Sequence, residues 1–130
     1  MRPSKPKNIL LLSAILLILT DQFSKYIIRA SGGFYICNRG IAFGISLPNW
    51  LILGLIIAIL IFVSFLNLKF ESLNYPLILI LSGAISNLID RLYNGCVIDF
   101  INLYIWPVFN LADVFICAGA FFLLIKLNKK

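Results

Sequence analysis

Apolar residues run almost unbroken through this chain, and the interruptions are few enough to name. A membrane span needs about 20 mostly apolar residues, and four such runs fit, at about 8–28, 49–66, 76–91 and 110–127. With 62% of its 130 residues hydrophobic and 12% charged, the chain has too few polar side chains to cover a soluble globule of that size. The fold class that follows is an all-α membrane protein, a single integral domain of four transmembrane helices. Outer segments at 30–48 and 93–109 connect the first span to the second and the third to the fourth.

The interruptions are concentrated. There are five acidic residues, and three of them, Asp90, Asp99 and Asp113, fall within 83–113 together with Asn87, Arg91, Asn102 and Asn110. An ionisable group beside a membrane span is costly and marks a functional site by default. The eleven basic residues sit at the ends of apolar runs, where they meet lipid headgroups and set topology, so the net charge of +6 implies membrane lipids and no nucleic acid. Histidine is absent, which excludes Ser–His and Cys–His catalysis. Three cysteines without CxxC spacing leave zinc and iron–sulfur clusters no ligand set, so neither a metal nor a cofactor is expected.

Taken in order, the basic start and apolar run of the first span resemble a secretory signal, but no small-x-small cleavage site follows, and the expectation is an uncleaved span. Near its end Asp21 and Lys25 are four apart, on one helical face beside Gln22, as an ion pair or the floor of a polar pocket. Residues 30–48 form a loop with a β-prone FYIC run before Asn38. The second span carries no charge and receives no chemistry. A polar turn at 67–75 with Lys69 and Glu71 leads to the third span, which continues through Asn87, Asp90 and Arg91. The segment 93–109 is β-branched and aromatic, an extended surface stretch with Tyr104, Trp106 and Phe109 at the interface. Asn110 is a good N-cap, and Asp113 in the first turn of the last span suits the helix dipole.

With an internal N-terminus, Arg2, Lys5, Lys7, Lys69, Lys126, Lys129 and Lys130 lie inside, against Lys25, Arg29, Arg39 and Arg91 outside. That imbalance places both termini in the cytoplasm and four of the acids near the outer face. Two carboxyl groups brought close share a proton, one serving as base toward water while the other polarises a carbonyl. Asp90 next to Arg91 reads as a fixed ion pair. Asp99, on an extended segment, and Asp113, at a helix start, are better placed to meet. A small four-helix proton-coupled transporter is the alternative, though it calls for a carboxylate near mid-span.

Four blocks, TDQFSK at 20–25, NRGIAFG at 38–44, GAISNLIDRLYNGCVIDF at 83–100 and FNLAD at 109–113, resemble, in their order, the lipoprotein signal peptidases, the type II signal peptidases of bacteria. The resemblance implies four transmembrane helices with a small extracytoplasmic β-element and a surface helix, in the bacterial cytoplasmic (inner) membrane with the active site outside. It implies an aspartic dyad of Asp99 and Asp113, supported by Asp21, Lys25, Asn38, Gly40, Asn87, Arg91 and Asn110. The implied partner is a prolipoprotein substrate bearing diacylglycerol, cleaved before the lipidated cysteine by a monomeric enzyme. Against the family pattern, the segment between Asp99 and Asp113 is short, and Ser86 stands where glycine is more usual, which would tighten packing between spans three and four. Cys37 and Cys96 lie in outer segments where a bridge is permitted, but are read as two separate small thiols, with Cys117 as packing inside the last span.

Overall fold

Each long apolar run becomes one helix, because backbone in hydrocarbon must satisfy its hydrogen bonds within its own segment. In the computed structural model these are α1 (Lys7–Ala30), α2 (Asn49–Lys69), α3 (Asn74–Asn94) and α4 (Leu111–Asn128), 18 to 24 residues long and apolar enough to cross a bilayer. Two short strands, β1 (Ile36–Asn38) and β2 (Val97–Asp99), pair antiparallel with Ile36 opposite Asp99, Cys37 opposite Ile98 and Asn38 opposite Val97. The fold is thus the expected four membrane helices with a small β-element. The structure describes residues 7–41, 45–69 and 74–129. The end of the NRGIAFG block, Glu71 with the middle of the turn at 67–75, and Arg2, Lys5 and Lys130 lie outside the described residues. The surface helix is not present among them, since residues 31–41 and 45–48 carry β1 and otherwise irregular backbone.

α3 is the central helix. Half of its apolar window is buried, against 11% for each of the other three, and it packs on α1, α2 and α4. Val63, Leu77 and Ile80 form its small apolar core with α2. Large side chains such as Leu11, Leu12, Phe62, Phe121 and Leu124 point outward, a surface that only lipid would cover favourably. The other end of α3 is polar inside, with Ser82, Ser86, Asn87 and Asp90 all buried. That polar end carries the helix past the 76–91 that apolarity alone suggests.

Glycine decides how closely α4 meets α3. A Cβ at Gly83 would run into the carbonyl of Ala112 and the side chain of Ile116, so its absence lets the first turn of α4 lie directly on α3. Asn87, one turn further along α3, is thereby brought to the start of α4. At the end of α3, Gly95 takes the left-handed conformation (φ 70°) and its N–H donates to the Arg91 carbonyl (3.1 Å), which turns the chain into β2.

Beyond β2, Ile101 and Phe109 exchange backbone hydrogen bonds (2.8 and 3.1 Å), closing a loop whose tip, Leu103–Trp106, is exposed. Tyr104 sits at φ 64°, its N–H held by the Asn102 carboxamide oxygen at 2.9 Å. Tyr104 and Trp106 project as interfacial aromatics would, whereas Phe109 is half-buried.

Gly83→Ala is expected to lower the thermal midpoint in detergent, since overpacking costs about 1–3 kcal/mol. Gly54→Ala, where a Cβ meets nothing, is expected to leave the midpoint unchanged or raised.

Candidate active site

Asp21, Gln22 and Lys25 project from one face of α1 toward the polar face of α3. The Lys25 ammonium lies 2.6 Å from Asp21 Oδ2 and 2.8 Å from Asp90 Oδ2, and donates to Asn87 Oδ1 at 3.2 Å. Lys25, Asp21 and Asp90 are at most 2% exposed, so the cation is fully engaged by protein. Both carboxylates reach further. Asp21 accepts from the Ser86 hydroxyl (2.7 Å) and from the Ala112 N–H (2.8 Å), one of the α4 first-turn donors that lacks a partner inside the helix. Asp90 accepts from Gln22 Nε2 (2.9 Å) and the Ile98 N–H (3.0 Å), fixing β2 to α3.

Two expectations are corrected here. Asp90 pairs with Lys25 rather than Arg91, because successive helical residues point about 100° apart and face different neighbours. Arg91 instead donates to the Gly40 carbonyl at 2.9 Å. Ser86, expected to act between α3 and α4, makes its hydrogen bonds to α1: its hydroxyl bonds Asp21 and receives Gln22 Nε2 (2.9 Å).

Above this floor sit the remaining two acids. Asn110 caps α4 and forms a capping box with Asp113: its side chain accepts the Asp113 N–H (2.9 Å), and Asp113 Oδ2 accepts the Asn110 N–H (3.1 Å). The same Asn110 sends Nδ2 to Asp99 Oδ1 at 2.7 Å and to Asn87 Oδ1 at 3.1 Å. Asn87 Nδ2 donates to Asp113 Oδ1 at 2.9 Å. One residue, Asn110, is therefore bonded to both carboxyl groups, and Asn87 links the pair to Lys25. Asn38, diagonal to Asp99 across the strand pair, donates to Asp99 Oδ2 at 3.0 Å, with its own oxygen held by the Gly40 N–H (2.9 Å). The nine residues singled out from sequence thus form one connected cluster, with Arg91 and Gly40 at its edge.

Asp99 is 2% exposed, and burial pushes its carboxyl up, to about 6. The negative charge of Asp113 adds to the rise, while the amides of Asn38 and Asn110 and the positive charge of Lys25 restrain it. An acid so placed takes up or gives away a proton near neutrality, as general acid–base chemistry requires.

Sequence reasoning set Gln22 beside the pocket floor, gave Asp90 to an ion pair with Arg91 and Ser86 to helix packing, and counted none of them among the supporting residues. Helical spacing would have found them: Ser86 and Asp90 are four apart, and each lies next to a residue already selected. Cys37 and Cys96, read as separate thiols, form a disulfide with a Cα–Cα distance of 5.4 Å, because the antiparallel pairing sets β1 beside the start of β2. Cys117 is exposed on α4 and so packs in no core.

A family model described as signal peptidase (SPase) II matches residues 13–129. Among curated relatives, the lipoprotein signal peptidase of Moorella thermoacetica is 39% identical over 132 residues, covering 87% of this chain and 88% of the relative. That of Syntrophus aciditrophicus is 35% identical over 154 residues, covering 97% and 96%. Two solved structures of a bacterial membrane enzyme, obtained by the in meso method at 2.3 and 1.9 Å, superpose with TM-scores of 0.85 and 0.86 at 29% and 27% identity. The first covers 94% of this chain and 88% of its own, the second 98% and 97%.

Two stability measurements follow from the cluster. Lys25→Met would strand two buried carboxylates and is expected to cost roughly 3–5 kcal/mol, read as a lower midpoint in detergent. Asp99 binds its proton more tightly folded than unfolded, so its contribution is present below pH 3.8 and is lost as pH rises through about 6. Asp99→Asn is therefore expected to gain in midpoint over the parent protein as pH goes from 4 to 8, with little difference at the acid end.

Proposed function

Because the chain belongs to the signal peptidase II family, we propose that it works as an aspartic endopeptidase on diacylglyceryl-modified prolipoproteins, with Asp99 and Asp113 as the catalytic pair. The protein is a multi-pass membrane protease of the lipoprotein signal peptidase kind. The observation that carries the aspartic reading is the position of Asn110, bonded at once to Asp99 and to Asp113.

In this mechanism the pair shares one proton. Asp99, raised to about 6, holds it and polarises the scissile carbonyl, while Asp113 accepts a proton from the attacking water. Collapse of the tetrahedral intermediate breaks the C–N bond, and the proton on Asp113 passes to the departing amine. Asn87 and Asn110 orient the two carboxyl groups, Asp21 and Lys25 form the floor, and Asn38, Gly40 and Arg91 border the place where an extended peptide would lie. The site sits at the end of the bundle where α1 and α3 finish and α4 begins. Acyl chains of a substrate would then stay in the bilayer while the peptide bond reaches the interface. Acids gathered at one end of the helices suit this chemistry better than transport, which calls for a carboxylate at mid-span.

The distribution of Lys and Arg supports cytoplasmic termini and an outer active site, and the Cys37–Cys96 bridge beside the site accords with an oxidising exterior. The cluster is complete within one chain, so this chemistry needs no residue from a second subunit, in keeping with a monomer built as a single domain.

In proteoliposomes, Asp99→Asn and Asp113→Asn are each expected to remain folded and inserted and to slow cleavage of a lipidated prolipoprotein by roughly 10²–10⁴-fold. Normal cleavage by either variant would dismiss the dyad. Proton-coupled uptake by the parent protein, without cleavage, would favour the transporter.

A further inference from the structure

The Cys37–Cys96 disulfide has no part in the chemistry above, yet it ties β1 to the start of β2, the strand that ends in Asp99. Cys37 stands between Ile36, which pairs with Asp99, and Asn38, whose amide donates to Asp99 Oδ2; Cys96 immediately precedes β2. The two strands are held very differently. All three residues of β2 are buried, and its Ile98 N–H is anchored by Asp90. In β1, Ile36 and Cys37 are exposed and Asn38 is only half-buried. Beyond the three-residue pairing with β2, the described ties near β1 are Asn38 to Asp99, Arg91 to the Gly40 carbonyl, and the disulfide. A two-stranded pair of this length has little stability of its own in water.

We propose that the Cys37–Cys96 disulfide is a positioning element for peptide cleavage, holding β1 against β2 so that Asn38 keeps its hydrogen bond to Asp99. The proposal rests on the reading of Asp99 as one of the catalytic pair. A dithiol would release the strand by two exchange steps: its thiolate attacks the sulfur of Cys37, the exposed residue of the pair, and its second thiol resolves the mixed disulfide. Two protein thiols form, and the reagent is oxidised to a cyclic disulfide. Asp99 then keeps Asn110 and loses Asn38, one of the two amides that restrain its proton affinity. Turnover falls, and its pH dependence moves to higher pH.

The test uses the full chain in proteoliposomes with Cys117→Ser, so that thiol alkylation reports only on the pair. Because the bond is reduced after assembly, a folding defect in cysteine variants does not enter. Complete reduction by dithiothreitol, verified by alkylation and mass, is expected to lower kcat for a lipidated prolipoprotein by up to roughly tenfold, the effect of losing one hydrogen bond. Reoxidation is expected to restore it, and the pH profile of the reduced enzyme to shift upward. Asn38→Ala in the same background is expected to show a similar fall while oxidised and no further fall on reduction, since the two changes act through one contact. Unchanged kcat with the pair fully reduced would overturn the proposal. So would a reduction penalty that persists in full in Asn38→Ala, because the bridge would then act on stability alone. Absence of cleavage by the oxidised enzyme would instead remove the parent reading.

Discussion

An ammonium group closed off from solvent inside a membrane protein is tolerable only if protein groups replace its hydration, and that requirement organises this molecule. Lys25 meets it with Asp21, Asp90 and Asn87. Each of those three partners then holds something else. Asp21 accepts the Ala112 N–H and so sets where α4 begins; Asp90 accepts the Ile98 N–H and sets the height of β2; Asn87 reaches Asp113 and Asn110. The start of a helix, a strand and the central helix are thereby registered on one cation. Removing it would disturb all three, which is why a residue distant in sequence from Asp99 and Asp113 belongs to their site.

The four acids at this end of the bundle divide into two kinds by what they touch. Asp21 and Asp90 are engaged by the ammonium and by backbone amides. Among the described residues, Asp99 and Asp113 bond to amide donors, from Asn38, Asn87 and Asn110, while the charges of Lys25 and Arg91 act on them through space. Neutral donors orient a carboxyl group without adding a second full charge at its oxygens, and so leave Asp99 able to exchange a proton near pH 6. Charge compensation separates Asp21 and Asp90 from the proposed catalytic pair although all lie within one hydrogen-bonded cluster.

Outside the bilayer, order comes by other means. α3 is held by packing on three neighbours, with Gly83 permitting the closest approach, but the strand pair has no core of its own. It is fixed to α3 through Asp90 and Arg91 and closed by a disulfide. The loop from Ile101 to Phe109 returns the chain to Asn110 with its apolar tip turned outward. The shortness of this loop sets Asn110 between the two acids, contacting Asp99 before it and Asp113 after it.

What the sequence determined by itself is local. Four apolar runs make four helices because hydrocarbon permits no other use of their backbone. Asn110 and Asp113 make a capping box because they are three apart at a helix start, and Asp21 meets Lys25 because they are four apart within one. The polar blocks also named the cluster's members, for a chain this apolar has few places to put them. The tertiary structure decided the partners: Asp90 as the second acid on Lys25, Ala112 as the donor to Asp21, Ser86 turned to α1, and Cys37 joined to Cys96 across 59 residues of sequence. Periodicity reports which face of a helix a residue occupies. It carries no record of which other element packs on that face, since that follows from steric fit and burial across the whole chain.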